Sequence, residues 1–568
     1  LKVWLKIISD SALYYGSKLR LQDELGLFIF LVRHRVFLMP LLPKAPHTLA
    51  TTAVNIWGSV CHWAQHASRP KLALCAGLGL LLLWRKLRWS VQRFRNVPGL
   101  PWLGVLPYLR GGKAFVECME KWAEDYGHEG AYECVLNGQR VIVCCASETA
   151  QEVFSQRPFK VTRSAGIKRT IDLMDGVFAN EGHSWNVHRR LIAPAFNVAN
   201  MKSYFTHVRD SVDMLARTLA KLSEYQGAIN FTALLPCFSA DVICSVAFGQ
   251  DFGALQQLQE TIHCSNQLTE AGSVKQVELV EDLLGRTLAR VAAPFQWWRL
   301  PILGRLDRGK HVSDELADLM RRFMQDNDQK HTLLSKLMNA EGEKLTHDQL
   351  VGNMITLFLA GTDTTSLSLV WTFYYLAKLP RLQEAIFTEI STKVPEGVSS
   401  MEQLEELHLV RAAWAETLRL RSVAPFLMLR AAEPLEIAGR EVPAGTELVV
   451  LTRYLRNRLP EMQALGSDID VYRPERWLQD GVFKQISALD PLAFGQGARA
   501  CLGRRLADTE AQLAIATVVQ QFALSGAPEG EIGEVTNFTQ APDRDVELTV
   551  TPRLAHSDPP GTACHGGA

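Results

Sequence analysis

The 568-residue chain has no excess of either charge, since 60 lysines and arginines meet 60 aspartates and glutamates. Without a basic surplus to neutralise phosphates, nucleic acid is not an expected partner. The eleven cysteines have neither zinc-finger spacing nor an even count. No disulfide framework is expected, and a reducing compartment fits better. Fixed-period repeats and long low-complexity stretches are missing too, which sets solenoids and arrays aside. The apolar run Leu72–Trp84 is shorter than the roughly 20 residues a membrane span usually needs. It reads as a buried helix or as a tilted or interfacial anchor.

The residues just after that run favour the anchor. Arg85, Lys86, Arg88, Arg93 and Arg95 form a basic flank, the pattern of a segment whose downstream domain is cytoplasmic. Residues 71–95 are therefore the expected membrane anchor. Residues 1–70 mix apolar bursts (Leu27–Val32, Val36–Leu42) with basic residues and few acidic ones. A targeting extension, a membrane-lying segment and a gene-prediction artefact all fit them. The stretch Asn96–Gly104, with Pro98 and Pro101, is a stiff non-helical hand-over to a globular domain expected over 96–553, and 554–568 reads as a flexible tail.

Within that domain helical periodicity dominates. Amphipathic or apolar helical patterns cover Ala114–Tyr126, Ser184–Leu222, Leu234–Phe248, Leu255–Glu270, Ser313–Asp326 and Leu350–Lys378. Alternating runs at Ala131–Leu136 and Arg140–Cys145 flank Asn137-Gly138 and predict a β-hairpin. Ser422–Thr452 reads as short strands with a turn at Pro443–Gly445. The expected class is mainly α with a minor β-sheet region (α+β).

One loop, Phe494-Gly-Gln-Gly-Ala-Arg-Ala-Cys-Leu-Gly503, carries Cys501 to the mouth of a helix continuing through Ala511, Ala514, Val518 and Phe522. Unpaired amides at a helix start favour a thiolate, the form that binds metal. Gly495 and Gly497 permit a tight bend, and Gly503 leaves room for a flat object against the backbone. Arg499, two residues before the sulfur, suits a negative group on that object. A haem, flat and with two propionates, has both features; a buried structural cysteine in a glycine-rich turn is the alternative.

Three further stretches bear on the choice. Ala360-Gly361-Thr362-Asp363-Thr364-Thr365 is a polar interruption in the longest apolar helix. The small pair allows a ligand's approach, and the acid–hydroxyl pair Asp363–Thr364 can move protons through water. A solvent-facing notch is the alternative. Glu416 and Arg419 share a helical face among apolar neighbours, and Arg476 is the third partner such a pair needs if buried. Trp185 and Arg189, four apart, can clamp a carboxylate, although a surface arginine beside a packing tryptophan has the same pattern. Arg430 is another candidate for a propionate.

Together these motifs resemble the haem-thiolate monooxygenases, the cytochromes P-450, over about residues 96–553, with the expected order preserved. The resemblance implies that fold, haem b as cofactor and Cys501 as its axial iron ligand. Thr364 and Asp363 would deliver protons during dioxygen reduction, beside Ala360 and Gly361. Glu416, Arg419 and Arg476 would form a structural network. Trp185, Arg189, Arg430 and Arg499 would hold the propionates, with Phe494, Gly495 and Gly503 as further cofactor-binding positions of the loop. Ala493 departs from the family's usual proline, and Arg453–Arg458 departs from its His-Arg-Asp pattern, so no function is taken from that segment. By the same resemblance Phe426, Leu427 and Met428 would face a pocket for a small hydrophobic substrate: a lipid, fatty acid, sterol or xenobiotic.

Nothing in the chain looks like a flavin or nicotinamide domain. The resemblance thus implies NADPH electrons through a separate diflavin reductase, with a ferredoxin as the alternative. Arg504 and Arg505 would face that partner, or simply solvent. An endoplasmic-reticulum membrane location with a cytoplasmic catalytic domain is expected, a mitochondrial or plastid membrane being the alternative. A reductase-independent isomerase acting on peroxides and a non-catalytic haem protein are the competing functions. The retained Asp363–Thr364 pair speaks against both.

Overall fold

The longest helix, His347–Lys378, is where the packing begins. Its N-terminus is closed by a capping box in which Thr346 and Gln349 each satisfy the other's backbone amide, and it runs unbroken through Asp363 and Thr364. The computed structural model describes residues 94–99, 104–105 and 115–553, apart from 137, 226, 266–273, 294, 326–331, 340–343, 467 and 487–489. The expected extension, the apolar run Leu72–Trp84 with most of its basic flank, and the C-terminal tail lie outside the described residues.

Helices of nine residues or more, in order, are α1 (Phe115–Tyr126), α2 (Ser147–Ser155), α3 (Gly182–Ile192), α4 (Val198–Tyr225), α5 (Phe231–Phe248), α6 (Ala254–Ser265), α7 (Lys275–Ala292), α8 (Gly309–Gln325), α9 (His347–Lys378), α10 (Pro380–Lys393), α11 (His408–Leu420) and α12 (Arg504–Gln521). The single helical run expected over Ser184–Leu222 is two. Pro194, which has no amide to donate, sits in a 3-10 turn at Ala193–Phe196 that separates α3 from α4. Helix α7, absent from the helices expected from sequence, is amphipathic, and its buried side carries Val277, Val280, Leu283, Leu284 and Thr287.

The main sheet has five strands in the order β1-β2-β5-β4-β3, with β1 at Ala131–Leu136, β2 at Gln139–Cys144, β3 at Val161–Arg163, β4 at Leu427–Ala431 and β5 at Glu447–Val450. The expected hairpin β1–β2 pairs Ala131 with Cys144, and β2 then runs parallel to β5. A separate hairpin, β6 (Glu534–Asn537) and β7 (Thr539–Pro542), turns at Phe538, whose φ of 40° is unusual for a non-glycine residue.

The core sits where α5 crosses α9. Trp371 and Phe373 of α9 are fully buried, and Phe231 of α5 meets Phe373 edge-on with ring centroids 5.5 Å apart. Gly361 belongs to this crossing, because a Cβ there would lie 3.0 Å from Cγ1 of Ile243 on α5. Helix α5 is the one helix among the described residues long and apolar enough to cross a membrane, and 83% of its apolar window is buried inside the protein. It is a core helix.

Where α12 packs near α5, Ser239 donates to Oε1 of the buried Glu510 at 2.7 Å. Burial pushes the Glu510 carboxyl up to about 8, against the Ser239 bond, which pulls it down. The folded protein therefore holds a proton that the unfolded chain releases, and this group's contribution to stability is lost as pH rises through that range. Glu510→Gln is expected to flatten the fall in melting temperature between pH 6 and 9, and an unchanged slope would contradict the assignment.

Candidate active site

The glycine loop is shaped by its backbone. Gly495 and Gly497 both have φ of 69°, in the left-handed region, and the Cys501 amide donates back to the Phe494 carbonyl at 2.8 Å. Gly503 caps α12, so Cys501 stands two residues before that cap. Its side chain is reached by solvent although protein surrounds it densely, as at the floor of a recess. Burial pushes the thiol up. The Gly503 and Arg504 amides and the Arg189 charge oppose this, while Asp508 adds to it. The helix-start effect expected from sequence is present, but burial outweighs it. A cation on the sulfur would reverse that balance.

Beside the loop lies an accumulation of buried positive charge. Arg499 donates to the Asn180 carbonyl at 2.7 Å, pairs with Glu181 at 2.5 Å and lies 4.2 Å above the Trp185 ring. Arg157 and Arg163 join it. Burial pushes the Arg157 and Arg499 guanidiniums each down to about 10, and Arg163 falls further under burial and the charges of Arg157 and Arg499. Arg163 stacks on Phe178 at 3.8 Å, and its backbone amide is bonded to Glu181. The Nε atoms of Arg157, Arg163 and Arg499 are buried without a hydrogen-bond partner. Arg189, one turn after Trp185 on α3, completes the group, its charge acting on both Cys501 and Arg499. Glu181 is the only carboxylate bonded to this cluster among the described residues.

Sequence reasoning missed Arg157 and Arg163. The signal was there, in Arg157, Lys160, Arg163, Lys168 and Arg169 with no acidic residue between them. Arg430 has other company. It lies opposite Glu447 on the neighbouring strand, 3.4 Å from its Oε1, and on its other side pairs with Thr162, the residue before Arg163. Of the expected clamp, Trp185 lies under Arg499, and Arg189 acts by charge on both the cysteine and Arg499.

On α9, Thr364 donates its hydroxyl to the Ala360 carbonyl at 2.7 Å, and Ala360 is exposed in the middle of an otherwise buried helix. Asp363 turns instead to Thr539, whose hydroxyl it accepts. Burial pushes the Asp363 carboxyl up to about 6 against that bond. The acid and the hydroxyl are neighbours in sequence but bond to different partners. Phe426, expected to face a pocket, packs edge-on against Phe115 of α1 with centroids 5.3 Å apart. Phe494 lies partly buried against the main core, with Arg504 above its ring.

The sequence matches the family Cytochrome P-450 over residues 95–545. The chain belongs to the cytochrome P-450 family. It is 29% identical over 396 residues to the human mitochondrial sterol 26-hydroxylase, covering 66% of this chain and 72% of that one. It is 26% identical over 507 residues to cytochrome P-450 3A12 of the dog, covering 85% and 96%. The haem domain of cytochrome P-450DA superposes with a TM-score of 0.69 at 22% identity, covering 82% of this chain and 98% of that structure, which shows the same fold. The protein is thus an oxidoreductase of the P-450 class, mainly α with small sheets.

The family implies haem b, and the residues fit it. Buried guanidinium groups with orphaned Nε atoms, of which Arg499 pairs with Glu181, suit a dianion. An accessible thiol at a helix mouth suits a metal.

Behind the site, Glu416 is wholly buried on α11 and satisfied on both oxygens. Arg419 binds it in a fork at 2.8 Å twice, and Arg476 Nε, the Arg473 amide and Trp477 Nε1 each donate at 2.9 Å. Burial alone would raise this carboxyl, but the Arg419 bond, the two arginine charges and the Arg473 amide bring it below the usual range. Removing the carboxylate by Glu416→Ala strands two buried cations, and should cost about 3–5 kcal/mol in denaturant unfolding. A loss below about 1 kcal/mol would show that the network is replaceable.

Proposed function

We propose that the protein is a haem-thiolate monooxygenase that inserts one atom of dioxygen into a hydrophobic, lipid-like substrate with electrons from a separate reductase. The carrying observation is the accessible Cys501 thiol at the mouth of α12, near buried guanidiniums whose Nε atoms lack a partner. In this reading Cys501 is the axial ligand, and Arg499, Arg157 and Arg163 take the propionates with Trp185 as packing. Arg189 steadies the thiolate charge. Bound there, haem supplies reductive dioxygen chemistry, one oxygen atom going to substrate and the other to water.

The chain's own residues orient the reactants, exclude water and handle protons. Asp363, poised at about 6, exchanges a proton readily near neutral pH. The Thr364 hydroxyl, parked on the Ala360 carbonyl, becomes a donor when it rotates away. Exposed Ala360 leaves space at that point of α9. The names of the relatives, a sterol hydroxylase among them, support a sterol, fatty-acid or xenobiotic substrate.

Arg505, exposed in the first turn of α12, suits an acidic electron donor, whereas Arg504 is engaged by Asp508 at 3.6 Å. We take that donor to be an NADPH-dependent diflavin reductase at the endoplasmic-reticulum membrane, with residues 71–95 as the anchor. A ferredoxin at the mitochondrial membrane is the second reading, which the mitochondrial relative favours.

The test uses purified protein, heavy-isotope dioxygen, a lipid extract and either donor, read by mass spectrometry. One heavy oxygen atom per product molecule is expected, and the donor that supports it identifies the partner. Product formed without label would overturn the reading in favour of rearrangement. In the same assay Thr364→Ala should bind substrate normally but divert most electrons to peroxide, and unchanged coupling would remove Thr364 from its role.

A further inference from the structure

The hairpin β6–β7 reaches Asp363 from outside its helix. Its base is fixed by charge: Glu534 pairs with Arg421 at 3.3 Å and with Arg453, and the Gln540 amide donates to the Val423 carbonyl at 2.9 Å. Its tip is Phe538, which packs edge-on against Phe178 with centroids 6.1 Å apart. Phe178 lies beneath Arg163, and the preceding Val177 gives its carbonyl to Arg499. Thr539, the residue after the tip, donates to Asp363 Oδ2. A continuous set of contacts thus runs from the guanidinium cluster through Phe178, Phe538 and Thr539 to the acid of α9.

We propose that Thr539 is a positioning residue for proton delivery, whose hydroxyl holds the Asp363 carboxylate and ties it to the hairpin tip packed against the cofactor-side cluster. This rests on the monooxygenase reading for its purpose, but the tie itself does not.

The charges around Asp363 leave the carboxyl's setting simple. From α7, Glu281 feels the Asp363 charge and is raised by burial first and by that charge second, with Glu278 adding to it. On α5, Asp241 is turned to the amides of Phe252, Ala254 and Leu255. On α12, Glu510 is bonded to Ser239, and on α11 Glu416 and Arg419 bind one another. On α8, Lys310 pairs with Asp314, His311 with Glu315, and Arg321 with Asp318 and with Asp348 at the far end of α9. Burial and the Thr539 hydroxyl therefore act on Asp363 in opposite directions, with Glu281 the neighbouring carboxyl whose charge couples to it. A hydroxyl donated to a carboxylate stabilises the charged form, so losing it moves the titration upward.

The test is infrared difference spectroscopy of the purified full chain across pH, following the protonated-carboxyl band that Asp363→Asn removes. Thr539→Val, and Thr539→Ala should the first variant fold poorly, are expected to move that band's midpoint up by about one pH unit. Thr539→Ser should restore the parent midpoint, and product-to-peroxide ratio against pH should shift in parallel. Coincident titrations of parent and Val variant, or failure of Ser to restore, would overturn the proposal. The band is read without turnover, so a chain that does not oxygenate but still shows the shift would refute the monooxygenase reading alone.

Discussion

Buried positive charge is the constraint on which the site depends. Arg157, Arg163 and Arg499 are packed together with Arg189 nearby, and Glu181 is the one carboxylate bonded among them in the described residues. Like charges in a poorly solvated place repel strongly unless anions enter. The protein reduces the cost by other means: Arg499 uses the Asn180 and Val177 carbonyls and the face of Trp185, and Arg163 uses the face of Phe178. What is left over are three buried guanidinium Nε atoms without a partner, together with an accessible thiol.

The rest of the fold keeps that arrangement in register. The Glu416 network ties α11 to the segment around Tyr472–Trp477, and Arg453 ties β6 to α1 by a fork on Glu120 at 2.9 and 3.1 Å. These ion pairs are buried or nearly so, where breaking one partner costs far more than a surface pair. They act as struts, whereas in the proposed reading the chemistry belongs to α9 and the cysteine loop.

Much of this was legible in the sequence because the signals are local. A 3.6-residue period gave most of the helices, Asn137-Gly138 gave the first hairpin, and positive φ at Gly495 and Gly497 matched the bend expected of the loop. The contacts that the sequence did not reveal share a cause as well. Glu447 pairs with Arg430, Thr539 donates to Asp363, and Ile243 packs beside Gly361, each from an element far away in the chain or on another strand. No period or spacing announces such partners. Arg453, set aside because its segment departs from the family pattern, turns out to be a strut for the same reason.

The central claim is that Cys501 and the guanidinium cluster together hold a haem through a thiolate. It is tested most directly by the absorption spectrum of the purified protein, reduced and exposed to carbon monoxide. The long-wavelength Soret band given by a thiolate ligand is expected in the parent and should be lost in Cys501→Ala. A variant that keeps that band, or a parent that binds haem without ever showing it, would contradict the account.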